Sequence, residues 1–238
     1  MRKHHKAILL AAMLAFAGQA AAEGSGQFSL RSALHATKAV SLSDKDVIDT
    51  AKQACAAYDK QNRAAPSSSK YARRLAKLTK GLHKEDGMSL NFKVYLVSNV
   101  NAFALANGCV RVYSGLMDVA TDDELMGVIG HEIGHVKLGH SKAKMKTAML
   151  ARAAREGAAD AGGNAGELAA SELGGLAEAF INAQFSQKEE TKADEYGFKF
   201  MQRHGYDTHG MATMLGKLKG DGGLLSSHPS SPKRVKNI

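Results

Sequence analysis

Near its centre the chain contains the sequence Val128-Ile129-Gly130-His131-Glu132-Ile133-Gly134-His135-Val136. Successive residues of an α-helix are about 100° apart, so His131 and His135 lie on one face and their imidazoles can bind one metal ion. Glu132 lies beside that face, where its carboxylate can take a proton from an attacking water without binding the metal. The pattern predicts a helix that carries two zinc ligands and a general base.

The residues before this stretch predict where the helix begins. Thr121 followed three residues later by Glu124 has the pattern of a capping box, which starts a helix. Apolar residues then recur with helical spacing, and they are Leu125, Val128, Ile129, Ile133 and Val136. We therefore expect a helix that packs an apolar stripe on a core.

The first 22 residues have the layout of a cleaved secretory signal. Three basic residues among the first six precede an apolar run over residues 7–17, and a run of alanines ends at Ala22. The apolar run is shorter than the roughly 20 residues that span a bilayer, which favours cleavage over anchoring. No Cys near the cleavage point could accept a lipid. We expect a soluble periplasmic protein formed by residues 23–238.

Composition restricts the class of protein further. The chain has 238 residues, a formal net charge of +9, six Tyr, eight Phe and no Trp. Nucleic-acid sites cluster Lys and Arg with interleaved aromatic residues, and the scattered pattern here predicts no such partner. The basic excess is typical of a solvated surface that can meet an anionic membrane or outer-membrane proteins. No Pro- or Gly-rich linker divides the mature chain, so we expect a single domain.

Cys55 and Cys109 are the only two cysteines. In an exported chain an even pair is usually bridged, and neither residue belongs to a Cys-x-x-Cys motif. The chain-entropy model gives about 4 kcal/mol for a bridge that closes a loop of about 54 residues. The alternative is two buried thiols, which mass spectrometry without reductant would distinguish.

Residue periodicity predicts the other elements of a mostly helical α+β domain. Helices are expected over residues 43–59, 71–81, 176–204 and about 207–218. A strand is expected over residues 91–98, and Asn107-Gly108 predicts a hairpin between residues 101–106 and 109–113. The small sheet therefore precedes the metal-binding helix.

Residues 152–175 are rich in Ala and Gly and have no steady apolar period. One interpretation is a mobile flap over the site, since segments that cover sites need low local stability. The other is a plain Ala-rich helical connection. The sequence does not decide between them.

A catalytic zinc needs a third protein ligand and an open position, and the third ligand must come from elsewhere in the chain. His140 lies roughly 140° from His135 around a helix, so we interpret it as structural. Among residues 187–195, Glu190 and Asp194 are four apart, so one can bind the metal while the other orients an imidazole. Spacing alone does not select Glu190 over Glu189.

Three motifs resemble those of the HtpX, Oma and CAAX-prenyl-protease family of zinc metallopeptidases, especially its soluble periplasmic branch. They are His131-Glu132-x-x-His135, Glu190-x-x-x-Asp194, and His228-Pro229 followed by Arg234. The likeness runs from about residue 41 to residue 234 and includes Asn101-Ala102-Phe103-Ala104 and both cysteines. It implies a zincin-like domain of the gluzincin type, mostly helical, with a small mixed sheet packed on the active-site helix.

The resemblance implies a role for each residue of the zinc centre. His131, His135 and Glu190 would bind one Zn²⁺ per chain. Glu132 would be the general base, and Asp194 would accept a hydrogen bond from His131.

The resemblance also implies roles around the zinc. His228 and Arg234 would steady the oxyanion during catalysis or, at rest, cap the zinc. The strand of residues 101–106 would be a sheet edge that receives the backbone of unfolded or misfolded substrates by strand addition.

The implied function is a zinc metalloendopeptidase that hydrolyses misfolded or damaged envelope proteins. The alternative is a holdase or assembly factor whose latent zinc site is shut by His228 and the flap. A purely structural zinc would need four protein ligands and would make folding depend on the metal. A Glu directly after the first ligand has no use in such a site, which favours the peptidase.

Overall fold

A computed structural model describes residues 42–159, 170–218, 223–229 and 234. The predicted signal sequence lies outside these ranges. The helices are α1 (Asp44–Gln61), α2 (Lys70–Leu78), α3 (Ser114–Val119), α4 (Asp122–Lys137), α5 (His140–Ala159), α6 (Ala170–Asn182), α7 (Gln187–His204), α8 (His209–Lys217) and α9 (Leu224–Ser227). The strands are β1 (Lys84–Glu85), β2 (Met88–Ser89), β3 (Asn91–Tyr95), β4 (Ala102–Ala104) and β5 (Cys109–Tyr113). The predicted fold class, mostly helical with small mixed sheets, is confirmed. None of the described helices is both long and apolar enough to cross a membrane.

The main sheet has the order β3-β5-β4, with β5 parallel to β3 and antiparallel to β4. The predicted hairpin around Asn107-Gly108 is therefore confirmed, and Gly108 has the positive φ of 79° that its turn requires. The predicted strand over residues 91–98 ends earlier, at Tyr95. Among the described strands β3 and β4 form the two edges of this sheet, and β4 and β5 are buried along their whole lengths.

A second sheet was missed by the sequence prediction. It pairs β1 with β2 through the turn at Asp86-Gly87, where both residues have positive φ values, 48° and 80°. An Asp-Gly dipeptide between short strands is a hairpin signal of the same kind as Asn107-Gly108. The flanking strands are only two residues long, which is why no alternating pattern marks them.

The predicted helix over residues 176–204 is wrong in one respect, because the chain there forms two helices. Residues 183–186 separate α6 from α7, and Ser186 begins α7 with a capping box closed by Glu189. Phe185 donates its backbone N–H to the carbonyl of Ser227, which fixes the break against α9. The break redirects the chain so that α7 packs along α4.

The Ala- and Gly-rich segment is partly helical. α5 extends through residue 159 and α6 begins at residue 170, so both flanks of the segment of residues 152–175 are helix. The high helix propensity of Ala explains these extensions. Residues 160–169 lie outside the described ranges, and for them the proposed flap stays a prediction.

Two apolar clusters hold the domain together. The larger one lies between the sheet, α4 and α7 and includes Ile129, Ile133 and Phe200. The second surrounds the junction of α1, α6 and the sheet and includes Phe180 and the Cys55–Cys109 disulfide. The bridge joins α1 to the start of β5, so the predicted disulfide is confirmed.

A buried ion pair beside the disulfide gives a testable pH dependence. Arg111, only 1% exposed, donates to both oxygens of Asp59 at 2.8 and 3.0 Å, and Tyr95 and Lys93 also donate to that carboxylate. Burial opposes the charge on Asp59, but these three donors hold the pKa of Asp59 below its usual 3.8. The folded protein therefore binds this proton less readily than the unfolded chain, so the pair stabilises fully above pH ~4 and loses its effect as pH falls further.

We expect Asp59→Asn to lower stability by about 3 kcal/mol near pH 6, because it leaves Arg111 buried without its partner. The loss should shrink as pH falls below ~4, where the parent carboxylate is protonated too. Melting temperatures of parent and variant between pH 6 and 2.5 measure this. Asp49→Asn is the control, since Asp49 is half exposed in a surface pair and its loss should matter little at any pH. An Asp59→Asn deficit that stays constant with pH would contradict the prediction.

Candidate active site

The helix α4 holds the predicted metal motif inside the protein. Thr121 and Glu124 close a capping box at its start, as predicted, and fix where the helix begins. His131, Glu132 and His135 are 6%, 1% and 0% exposed. The motif therefore lies in an interior site whose groups interact in a medium of low polarity.

A close contact between α4 and α7 positions the second set of polar groups. A Cβ on Gly130 would lie only 2.5 Å from a ring carbon of Phe200 and 3.3 Å from Gly197. Gly134 is similarly close to Tyr196. Because α4 has no side chain at these two positions, the helices approach closely and carboxylates on α7 reach the imidazoles on α4.

Four side chains direct donor atoms at one point. Nε2 of His131 and Nε2 of His135 are 3.0 Å apart, and Oε1 of Glu190 lies 3.3 Å from Nε2 of His135. Nδ1 of His228 lies 3.0 Å from the same oxygen and 3.1 Å from Nε2 of His131. All four donor atoms fall within 4.8 Å of one another, and all four residues are buried.

This donor set fits a zinc ion. Three imidazole nitrogens and one carboxylate oxygen are ligands that zinc prefers, and their number suits a tetrahedral site. Nε2 of His131 lies 3.0 to 3.1 Å from one nitrogen of His135 and one of His228. These three nitrogens cannot all be satisfied by hydrogen bonds to one another. The second oxygen of Glu190 accepts no hydrogen bond from the described residues. A bound cation would satisfy the converging imidazole nitrogens and one carboxylate oxygen at once.

Asp194 and Arg234 form charged contacts with the donor residues and hold them in place. Asp194 lies 2.9 Å from Nδ1 of His131 and accepts from Nε and Nη2 of Arg234 at 2.7 and 2.8 Å. Nη1 of Arg234 lies 2.5 Å from Glu190 Oε2, without the geometry of a hydrogen bond, and donates to the carbonyls of His228 and Pro229. A carboxylate on Nδ1 holds the ring so that Nε2 faces the metal.

The electrostatics follow from burial and these partners. Burial alone would raise the pKa of Glu190, but the three imidazoles around it hold that pKa well below its usual range. Burial likewise opposes the charge on Asp194, and Arg234 and His131 outweigh it, so the pKa of Asp194 is lowered. Burial lowers the pKa of His135 far below its usual value. Carboxylates stay ionised and His135 stays neutral, which are the protonation states that bind metal.

All seven residues singled out from the sequence meet in this cluster. They are His131, Glu132, His135, Glu190, Asp194, His228 and Arg234, and none is more than 6% exposed. The structure places Glu190, not Glu189, among the donors, because Glu189 accepts from Ser186 at the start of α7. His140 begins α5 and lies behind the site, with its Nδ1 3.2 Å from Nδ1 of His135.

Two contributors were not singled out from the sequence. The ring of Phe185 stacks on His135 with centroids 3.7 Å apart. The ammonium of Lys144 lies over the same phenylalanine ring, 3.8 Å from the centroid of Phe185. Lys144 sits in a Lys-rich stretch of α5 that has no distinguishing pattern, so no sequence signal marks it.

The fold and the site together define a class of protein. His131, His135 and Glu190 would leave one position of a tetrahedral zinc ion to His228 or to a water, and a carboxylate directly after the first histidine is useful only where a water must be deprotonated. An antiparallel strand at the edge of a small sheet completes the arrangement. These are the features of a zinc-dependent peptidase of the zincin type.

Comparison with known proteins gives the particular family. Residues 69–238 match the model of Peptidase family M48, and the chain belongs to that family. It is 45% identical over 216 residues to the metalloprotease YcaL and 46% identical over 215 residues to the metalloprotease LoiP, both of Escherichia coli (strain K12). Each match covers 88% of this chain and 85% of the relative. The chain is therefore a metalloprotease, and zinc is the metal that this family uses.

A more distant relative shows how far the likeness extends. The mitochondrial metalloendopeptidase OMA1 of Arabidopsis thaliana is 35% identical over 161 residues, which cover 63% of this chain and 31% of the relative. The expected membership of this zinc metallopeptidase family is confirmed by the family model and by the likeness to YcaL and LoiP.

Proposed function

We propose that this protein is a periplasmic zinc endopeptidase that hydrolyses misfolded or damaged envelope proteins. The observation that carries the chemistry is Glu132, which is 1% exposed beside the donor cluster and has an Oε1 atom that accepts no hydrogen bond from the described residues. A buried carboxylate with one oxygen that accepts no hydrogen bond from the described residues is suited to take a proton. His131, His135 and Glu190 would hold the zinc, which would supply polarisation of the scissile carbonyl and a lowering of the pKa of water toward ~7.

Glu132 then performs the proton transfers. It takes the proton of the attacking water and returns it to the leaving amine, so one carboxylate is first base and then acid. Asp194 and Arg234 hold His131 and Glu190 in place during these steps. Asp194 and Arg234 are buried and bonded to each other, so these two groups do not have to reorient when charge develops.

His228 gives the site a closed arrangement. Its Nδ1 atom occupies the fourth donor position, and its Nε2 atom lies 3.2 Å from Oε1 of Glu132. One ring thus blocks the position needed by water and also contacts the base. We propose that substrate displaces this ring and that the displaced His228, with Arg234, then stabilises the oxyanion.

His228→Ala is expected to raise the initial rate of peptide cleavage while zinc is retained. Three donors remain, and the closed state is lost; a cap worth about 1.4 kcal/mol would give about a tenfold increase. Initial rates on a fluorogenic peptide, with zinc content by elemental analysis, measure this. The same substitution in a Glu132→Gln background should stay inactive, which assigns the gain to this site. A slower His228→Ala enzyme would show that the oxyanion role outweighs the cap.

The substrate is proposed to lie along β4. The register makes Phe103 a hydrogen-bonded partner of Arg111 on β5, so the backbone groups of Ala102 and Ala104 point away from the sheet. Two of those four groups are occupied, because Asn101 Oδ1 accepts from Ala102 N–H and Ser141 donates to the carbonyl of Ala104. The Ala102 carbonyl and the Ala104 N–H have no other partner in the described ranges and remain for an extended peptide.

The proposed compartment is supported by two features. The Cys55–Cys109 bridge is typical of an oxidising compartment, and residues 1–22 have the pattern of a cleaved signal. An N-terminus at residue 23 in protein recovered from the periplasmic fraction would support export. Recovery of the uncleaved chain from the cytoplasm would contradict it.

The proposed substrates are unfolded proteins of the envelope, including outer-membrane proteins. A relative named beta-barrel assembly-enhancing protease, from Escherichia coli (strain K12), is 34% identical over 149 residues. Strand addition reads backbone rather than side chains, which suits unfolded substrates of varied sequence. Proteomic mapping of cleavage sites, with Glu132→Gln as the blank, tests this. Equal cleavage of folded and unfolded forms of one protein would oppose it.

The second candidate function is a holdase or assembly factor with a latent site. The closed position of His228 favours it, since such a site could bind clients without cutting them. Digestion of unfolded casein by the parent protein excludes a latent site. Protection of clients from aggregation without cleavage would favour the holdase.

A further inference from the structure

A cleft of about 390 Å³ opens beside the metal site, between α5 and α6 and near the start of α7. Half of its lining residues are alanines, which lie on α5, on α6 and at residue 183 just after α6, so it has room for a side chain. Its charged lining groups, among the described residues, are Lys144 and Glu189. None of the catalytic steps above uses this cleft.

The cation in the cleft is Lys144, and it is held by aromatic rings. Its Nζ atom lies 3.8 Å from the centroid of Phe185 and 4.6 Å from that of Phe180. Ring faces attract cations, but they leave the N–H donors of the ammonium without acceptors. In the part of the chain that the structure describes, no carboxylate forms an ion pair with this lysine. Its neighbour Lys142, by contrast, is paired with Asp44 at 2.5 Å.

Lys144 is close to the reacting groups. Phe185 is stacked on His135, and its centroid is 5.3 Å from that of His228. A single aromatic ring therefore separates the ammonium from a metal ligand. Burial lowers the pKa of Lys144 to about 8, while Glu132, Glu190 and Glu189 act in the opposite direction, so the group is mostly charged at neutral pH.

Glu189 does not neutralise this cation. Its Oε2 atom accepts from the backbone N–H and the hydroxyl of Ser186 at 2.9 and 2.7 Å. Its carboxylate thus closes the capping box of α7 rather than an ion pair across the cleft. The cleft is therefore lined by a partly desolvated cation that has no carboxylate partner among the described residues, and such a group binds anions more strongly than a solvated one.

We propose that Lys144 and this cleft form a substrate subsite that binds a carboxylate close to the scissile bond. The carboxylate comes either from an Asp or Glu side chain or from the C-terminus of the peptide. This inference deepens the proposed peptidase function and rests on it. This subsite would give the enzyme a preference for one kind of substrate residue, whereas the edge strand β4 would contact only the substrate backbone.

The test compares matched fluorogenic peptides that differ only by Glu or Gln, placed in turn at each position on both sides of the cleaved bond. At one position the zinc-loaded parent should cleave the Glu peptide with a kcat/KM about tenfold higher, the effect of one charge-assisted hydrogen bond. Lys144→Met should bring that ratio to about 1 without loss of cleavage of the Gln peptide. Lys144→Arg should keep the preference. Lys142→Met, two residues away on α5, should leave the ratio unchanged.

A second pair of peptides identifies the source of the carboxylate. If the free acid of a short peptide is preferred over its C-terminal amide, and Lys144→Met removes that preference, the C-terminus occupies the cleft. If only the Glu and Gln peptides differ, a side chain occupies it. Equal kcat/KM for every pair in the parent, or a preference that persists in a folded Lys144→Met, overturns the proposal.

Binding separates this inference from the peptidase function. Zinc-loaded Glu132→Gln should bind a labelled Glu peptide about tenfold more tightly than the Gln peptide, and the double variant with Lys144→Met should bind both equally. If the parent cleaves nothing but this binding difference is found, the proposed function fails and the subsite stands. If cleavage occurs and neither ratio depends on Lys144, the subsite fails and the function stands.

Discussion

Glu132→Gln is expected to keep its zinc and to lose cleavage by about 10²- to 10⁴-fold, the usual contribution of general acid–base catalysis. The amide has nearly the shape of the carboxylate and is not among the four converging donors, so the metal set is untouched. What it lacks is a basic oxygen for the proton of the attacking water. The measurements are kcat/KM on a fluorogenic peptide and zinc content by elemental analysis.

The control for this variant lies on the neighbouring helix. Glu195 is an exposed residue of α7, and Glu195→Gln makes the same chemical change outside the site, so its kcat/KM should equal that of the parent. A Glu132→Gln enzyme that digests casein at the parental rate would refute the assigned base. Loss of zinc from that variant would instead make Glu132 part of the metal set.

His135→Ala is expected to lose stoichiometric zinc and, with it, all measurable peptidase activity. Its Nε2 atom is one of the converging donors, and the residue is 0% exposed. Metal bound only by the folded state stabilises that state, so the parent should melt at a lower temperature after chelation. The melting temperature of His135→Ala should not respond to chelator.

The comparison with another histidine makes this result specific. His209 is an exposed residue at the start of α8, and His209→Ala should keep one zinc per chain and normal activity. Retention of stoichiometric zinc by His135→Ala would mean that the donor set is assigned wrongly. Chelation that lowers the melting temperature of His135→Ala as much as that of the parent would lead to the same conclusion.

Local patterns predicted the parts of the site that depend on one helix. The spacing of His131 and His135 fixed two donors, and the capping box at Thr121 fixed the start of α4. The choice between Glu189 and Glu190 was left open, although Ser186 followed by Glu189 has the same capping-box pattern. That pattern explains why Glu189 faces the start of α7 and Glu190 faces the metal site.

Features that depend on tertiary packing could not be predicted in this way. β3 and β5 pair in parallel although β4 lies between them in the sequence. No local pattern encodes the register of such a pair. The place of Lys144 over Phe185 depends on how α5 and α6 meet. His228 and Arg234 came from a family likeness alone, because a His before a Pro indicates only a loop.

The contact of α4 with α7 at Gly130 has a consequence for which ions the centre accepts. Donors mounted on two helices in backbone contact cannot spread apart to admit a larger ion. A calcium ion takes six to eight oxygen ligands at about 2.3 to 2.6 Å in adaptable loops, whereas zinc takes about four nitrogen or oxygen donors at shorter range. Selectivity for a small ion thus depends on Gly130 and Gly134, two residues of α4 that have no side chain and do not bind the metal.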